Sequence, residues 1–270
     1  MLSYLHGYHA GNLADLHKHM ALAWTLDYLT RKDKPLSYLE THAGRGLYDL
    51  DGAEARKTGE AAQGIDRAGP RIDAAHPLAR TIAAIRADHG PRAYPGSPMI
   101  ASHLLRGDDV LHLAELHPAE VAALRDAVPG AHVHHADGLA LALSIAPPMP
   151  RRGLCLIDPS WEVKEDYVTL PDTVRHLHRK WGVGTVMLWY PLLADDRHRP
   201  MLSRLGEDHP QALRHEVRFA PARRGHGMAG SGLFVVNPPW GLDAECARIA
   251  GLIDGLRAIP LSDAGAAPYT

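Results

Sequence analysis

The sequence predicts an α/β protein built on one mostly parallel, seven-stranded Rossmann-like sheet with helices on both faces. Three observations predict it. Seven short apolar runs, each ending near a turn or acidic residue, are spread along the 270 residues. Segments of helical periodicity fill most of the gaps between them, and no internal repeat, low-complexity tract or long polar linker interrupts the alternation. Strands that alternate with helices return by crossing over the sheet, which makes neighbouring strands parallel. On this pattern residues 1–270 form a single domain.

Residues 14–31 carry the first helical pattern, and the apolar run 36–40 is the first strand. Residues 52–92 then break the rhythm. They separate the first two strands, contain helix-like stretches such as 77–88, and read as a helical insertion. The alternation resumes with a helix at 98–105, a strand at 110–115, a helix at 118–127 and a strand at 131–135. A strand at 153–158 precedes a helix at 167–181, and a strand at 185–190 precedes a helix at 195–205. Strands at 213–219 and 232–237 follow each other directly, and a helix at 242–256 comes last.

Composition excludes several classes of protein. With 46% hydrophobic and 22% charged residues the chain has the apolar content for a folded core, so disorder is not its main description. The apolar stretch around 183–194 falls well short of the roughly 18 apolar residues that a membrane-spanning helix needs. Tyr4, His6, His9, Asp15 and Lys18 interrupt the first twenty residues, where a secretory signal needs an unbroken apolar core. A cytoplasmic location and no membrane contact are the expectation. Cys155 and Cys246 are too few for a disulfide framework or a thiolate zinc site and read as buried filler. The net charge of −2 gives no global attraction to phosphate, so any nucleic-acid contact must come from local patches. Arg175, Arg179 and Lys180 fall on or near one helical face, and Arg197, Arg199, Arg223 and Arg224 cluster in loop-like segments.

In open α/β sheets ligands bind at the carboxyl ends of the strands. After the first strand comes Glu40-Thr41-His42-Ala43-Gly44-Arg45-Gly46, where two glycines let backbone approach a ligand, though the third glycine of a dinucleotide fingerprint is missing. The second strand ends in Glu115, a carboxylate able to accept both hydroxyls of a ribose, and the third is followed by Asp137-Gly138, suited to an adenine edge. Glycines, Glu and Asp on successive strand ends follow the order that wraps an adenosine. The fourth strand ends in Asp158-Pro159-Ser160-Trp161. An exocyclic amine on a flat base is a poor nucleophile because its lone pair is delocalised; the Asp158 carboxylate and the Pro159 carbonyl can hold its N–H groups and aim the nitrogen at a methyl donor. Trp161 offers a stacking face for an extruded base. A second match, Asn237-Pro238-Pro239-Trp240, follows the seventh strand, and position assigns the chemistry to Asp158 instead.

These residues resemble the class I S-adenosylmethionine-dependent methyltransferases and, within them, the RlmJ family of bacterial large-subunit ribosomal RNA adenine-N6 methyltransferases. The likeness runs through His9-Ala10-Gly11-Asn12, Lys18-His19, Thr41-His42-Ala43-Gly44, Tyr94-Pro95-Gly96-Ser97-Pro98, Glu115-Leu116-His117-Pro118, Leu188-Trp189-Tyr190-Pro191 and Asn237-Pro238-Pro239-Trp240, and covers nearly the whole chain. The resemblance implies a helical insertion after the first strand. It implies that His19, His42, Ser97, Glu115, Asp137 and Gly138 contact S-adenosylmethionine, with Lys18 near its methionine end. Asp158 takes the catalytic role, Tyr4 touches the RNA, 23S ribosomal RNA is the partner, no metal is required, and the protein is a monomer. In the family's catalytic loop a second proline and a tyrosine are usual, where Ser160 and Trp161 stand here.

Three other readings compete. A DNA adenine-N6 methyltransferase shares the loop chemistry. A metal hydrolase would use His6, His9, His17 and His19, with Asp15 between, but on a helix His17 and His19, two residues apart, point in different directions. A non-catalytic RNA-binding module would have no need of the cofactor positions.

Overall fold

The computed structural model describes residues 4–220 and 227–257. Its main sheet has seven strands: β1 (Ser37–Glu40), β2 (Val110–Glu115), β3 (His132–His135), β4 (Gly153–Ile157), β5 (Thr185–Leu193), β6 (Leu213–Arg218) and β7 (Met228–Val236). Their spatial order is β3-β2-β1-β4-β5-β7-β6. β7 alone runs antiparallel, against both β5 and β6. This is the sheet of the class I methyltransferase fold, and the strand order reverses between β1 and β4, where crossovers leave a crevice at the carboxyl edge.

Eight helices of two turns or more are described: α1 (Leu13–Thr30), α2 (Pro77–His89), α3 (Ser97–Leu104), α4 (Pro118–Ala127), α5 (Gly138–Ile145), α6 (Asp166–Lys180), α7 (His198–Asp208) and α8 (Leu242–Arg257). The period-2 alternation of strand side chains sorts the core into two layers. Tyr38, Leu154, Leu156 and Met187 pack with Leu16, Leu22 and Leu26 of α1 and Ile249 of α8. Leu39, Cys155, Ile157 and Leu188 point the other way, onto Leu170, Val174 and Leu177 of α6 and Leu202 and Leu205 of α7. Both cysteines are buried and free. Within the described residues no helix is long and apolar enough to cross a membrane.

Some elements differ from the sequence reading. β5 continues to Leu193 and β7 begins at Met228, because beyond Leu188 the two strands pair with each other after β5 has left β4. Pro191 is tolerated there, where the strand has lost one neighbour. α5 was not predicted: Gly-Leu-Ala-Leu-Ala-Leu-Ser-Ile has strand-like alternation as well as apolar content, and it is the Asp137 cap, accepting from Ala140 N at 2.9 Å, that starts a helix. A two-stranded pair, Leu47–Asp49 with Ala93–Pro95, brackets residues 50–92. Between its strands lie α2 and the short helices Ala53–Thr58, Glu60–Gln63 and Ile65–Ala68. Arg199 lies in α7 rather than in a loop. Arg223 and Arg224 lie outside the described residues.

β1 and β4 approach so closely that Gly153 has no room for a side chain: a Cβ there would sit 1.9 Å from the Ser37 carbonyl oxygen. The contact is backbone, so it cannot yield as a flexible side chain would. Gly153→Ala should therefore destabilise the fold by about 3 kcal/mol or more. Thermal unfolding checks it, and a melting temperature equal to that of the wild type would mean that β1 and β4 can separate.

Candidate active site

A cavity of about 620 Å³ opens at the carboxyl edge of the sheet, between the ends of β1, β2, β4 and β5 and the start of α1. Its size suits a nucleoside-scale ligand. Each sequence-predicted site residue, Tyr4, Lys18, His19, His42, Ser97, Glu115, Asp137, Gly138, Asp158, Pro159 and Trp161, lines it.

The α1 end of the cavity is organised by charge. Lys18, buried on α1, puts its Nζ 2.5 Å from Asp158 Oδ2 and 3.1 Å from Asp15 Oδ1. Burial works against its ammonium, but the Asp158 and Asp15 carboxylates outweigh that and hold its pKa above the ordinary lysine value. Asp15 is itself buried and accepts from Gly11 N at 3.0 Å, while its Oδ2 lies 2.8 Å from His6 Nε2. Against the penalty of burial, His6, Lys18 and His19 pull its pKa well down. Tyr4 Oη then meets His6 Nδ1 at 2.9 Å, and the Tyr4 ring stacks on His9. One chain of polar contacts thus runs Tyr4–His6–Asp15–Lys18–Asp158.

The insertion grips this N-terminal segment. Glu60 accepts from Asn12 Nδ2 at 2.9 Å and bonds His9 Nδ1 at 3.0 Å, and Ile65 N donates to Gly11 O at 2.8 Å. Gly64 fits against the same stretch, since a Cβ there would lie 2.0 Å from Gly11 O.

The β1–β2 end is arranged by backbone. Gly44 and Gly46 both take positive φ, 62° and 79°, the conformation glycine adopts without cost. Glu115 Oε2 accepts from Gly44 N at 2.8 Å, and its Oε1 accepts from Leu116 N at 2.8 Å and His117 N at 2.7 Å. A carboxylate has about four acceptor positions, so Glu115 is locked in place with capacity left for a hydroxyl. Gly138 is required by packing: a Cβ would meet Thr41 O at 1.8 Å. His42 is half-buried and bonds Thr41 Oγ1 at 2.8 Å; burial lowers its pKa, so it stands neutral. Ser97 donates to Glu40 Oε1 at 2.5 Å, and Tyr38 donates to Glu40 Oε2 at 2.8 Å.

The histidines proposed as metal ligands diverge. His17 turns to Ser231 and His215, and His19 to Tyr94, while His6 and His9 serve Asp15 and Glu60. Among the described residues no group of three or more His, Cys, Asp or Glu is placed to hold a metal ion. Asn237 lies at the opposite edge of the sheet, its Nδ2 donating to Gly182 O and Gly184 O beside the first residue of β5. Asn237-Pro238-Pro239-Trp240 does not line the cavity. Several of the basic residues are matched by acids: Arg175 with Asp172, Arg197 with Asp195 and Arg199 with Asp196.

Residues 33–258 match the family model for ribosomal RNA large subunit methyltransferase D, RlmJ. The chain belongs to the RlmJ family. Ribosomal RNA large subunit methyltransferase J of Escherichia coli (strain K12) is 38% identical to it over 252 residues, 91% of this chain and 90% of that protein. The protein of the same name from Haemophilus influenzae is 36% identical over 257 residues, covering 92% of each. The crystal structure of protein LPL1258 from Legionella pneumophila superposes with a TM-score of 0.83 at 35% identity, covering 92% of this chain and 94% of that one.

Sequence reasoning on this RlmJ family member missed Asp15, Glu40 and Trp189 as parts of the site. Asp15 had a signal: it stands three residues before Lys18 and four before His19, on one face of the predicted helix. Glu40, ahead of the two glycines, and Trp189, within Leu188-Trp189-Tyr190-Pro191, stood in quoted motifs, but what they meet needs the strand register, which sets Glu40 opposite Leu156 and Leu188 opposite Ile157.

Buried titratable groups here pull stability in opposite directions. Burial, with His215 next, pushes His17 down to about 3, and burial pushes His19 to about 3 against the pull of Asp15. Unfolded, each binds a proton near 6.5 that the folded form refuses, so this contribution is complete above 6.5 and falls away as pH drops below it. Glu40 is pushed up to about 8, first by burial, against its bonds from Ser97 and Tyr38. The folded state keeps a proton that the unfolded state releases above 4.5, so this contribution is full at low pH and is lost as pH rises through 8. Between about pH 7.5 and 5 each histidine loses about 2 kcal/mol and Glu40 restores a comparable amount. Glu40→Gln removes that counterweight. Its urea midpoint should fall more steeply than that of the wild type over the same interval; parallel slopes would mean that Glu40 is ionised in the fold.

Proposed function

We propose that this protein is an S-adenosylmethionine-dependent methyltransferase of large-subunit ribosomal RNA that methylates the N6 of an adenine in 23S ribosomal RNA. The observation that carries the reading is that Asp158 and Pro159 line the same cavity as the fixed Glu115 carboxylate. Membership of the RlmJ family supports the ribosomal RNA substrate. The whole chain acts as one catalytic unit, with residues 52–92 as an insertion bracing the N-terminal segment.

The site's donor set fits the cofactor. Glu115 has acceptor capacity left for one ribose hydroxyl, Asp137 and Gly138 stand at the next strand end for the adenine, and His42, Ser97, His19 and Lys18 line the same cavity as Asp158. When bound, S-adenosylmethionine supplies the methyl group on a good leaving group, so the protein's own task is positioning.

Among the described residues Asp158 Oδ1 takes no hydrogen bond, while Oδ2 holds Lys18. Oδ1 accepts one N–H of the exocyclic amine and the Pro159 carbonyl accepts the other, which draws electron density onto the nitrogen and aligns its lone pair. The amine's extra proton becomes acidic only once the nitrogen has been alkylated, and Asp158 passes it to solvent. Tyr4 and Trp161 flank the entrance as contacts for the RNA, with Trp161 resting on Tyr167 at a centroid separation of 4.6 Å. No metal enters these steps.

The decisive assay offers radiolabelled S-adenosylmethionine with unmodified 23S ribosomal RNA and, in parallel, duplex DNA. Label should enter adenine N6 of the RNA. Asp158→Ala should lose about 100-fold or more in turnover while binding the cofactor as the wild type does. Near-wild-type turnover in that variant would refute the assignment of Asp158, and label in DNA alone would move the substrate class to DNA.

A further inference from the structure

The cavity contains an aromatic ring to which no role has yet been given. Trp189 lies within the sheet, yet it is only partly buried while every other residue from Thr185 to Leu192 is buried. Leu188 pairs with Ile157, so Trp189 stands one step further on, level with Asp158 on the neighbouring strand. Leu188 and Tyr190 belong to the layer beneath α6 and α7, and strand alternation turns Trp189 toward the α1 side, where Lys18 and Asp158 meet. The Lys18 Nζ lies 5.7 Å from the centre of its ring.

The edge of the indole is held from behind. Trp189 Nε1 donates to Ser231 Oγ at 2.8 Å, Ser231 Oγ lies 2.8 Å from His17 Nδ1, and His17 Nε2 lies 2.9 Å from His215 Nδ1. An indole N–H only donates, so the one arrangement that satisfies every group has Ser231 donate to His17 and His17 donate to His215. Ser231 and His17 are both fully buried. A polar chain of this depth is costly unless complete, and complete it fixes one orientation of the ring.

We infer that Trp189 is the platform on which the target base stacks, with Ser231 and His17 as its positioning residues; this rests on the methyl-acceptor reading above. The geometry runs from the amine outward. The group that occupies Asp158 now, the Lys18 ammonium, lies over the Trp189 ring, and an exocyclic amine held at the same carboxylate brings its own flat ring against that face. Trp161 contributes less face, being 7% exposed with its ring spent on Tyr167.

Base-on-indole stacking is strong enough that losing it should raise KM for transcribed 23S ribosomal RNA about tenfold in Trp189→Ala. Cofactor affinity should stay within about twofold. Trp189→Phe, which keeps a ring in the same core and guards against misfolding, should recover most of that KM, and Ser231→Ala should fall between. The second readout is 2-aminopurine riboside, whose fluorescence is quenched on stacking: quenching is expected with the wild type and Trp189→Phe and absent with Trp189→Ala. An unchanged KM in Trp189→Ala, or no quenching by the wild type, overturns the platform. A wild type that quenches the riboside in a Trp189-dependent way but transfers no methyl to RNA adenine supports the platform and sinks the proposed reaction instead.

Discussion

The buried ion pair between Lys18 and Asp158 is the constraint around which the site is arranged. It joins the first long helix to the end of the central strand β4, two elements 140 residues apart in sequence. A buried ammonium needs full compensation, because an unpaired charge in that environment costs several kcal/mol. Asp15 provides the second carboxylate, and its own remaining oxygen then needs donors, which Gly11 N and His6 supply. Satisfying one charge thus dictates the path of the chain from Tyr4 to Lys18. That path forms one wall of the cavity.

The opposite wall follows from a different physics. It is shaped by places where backbone meets backbone and by carboxylates held on backbone N–H groups. Gly138 under the Thr41 carbonyl lets the loops after β1 and β3 lie close, the αL glycines Gly44 and Gly46 turn the loop after β1, and the Glu115 carboxylate, accepting from Gly44 N, Leu116 N and His117 N, ties that loop to the end of β2. One wall discriminates by electrostatics and the other by shape. A nucleoside with a charged tail requires both.

Much of this was legible in the sequence. The alternation of apolar runs and helical patterns identified the seven strands, and their ends nominated Glu115, Asp137 and Asp158, because in a parallel sheet carboxyl ends converge wherever the crossovers go. What was not legible depends on register or on tertiary choice. Trp189 reads like any strand tryptophan until its neighbour is known to be the end of β4. Glu40 reads only as the acid that closes the first strand, yet it is enclosed by Tyr38 and Ser97. The basic residues read as a possible phosphate grip, and pairing with nearby acids occupies Arg175, Arg197 and Arg199. The α5 segment was missed because its apolar pattern fits either period and only its cap decides.

The contacts from Glu60, Ile65 and Gly64 to residues 9–12 bear on how the chain can vary. An insertion that merely decorated the sheet could be shortened or exchanged with little effect elsewhere. This one is a template for the stretch of backbone that leads into the candidate site, so its sequence and that of residues 9–12 are not separable modules. A chimera that takes the insertion from one relative and the leading segment from another would join two halves of a mould cast for different objects.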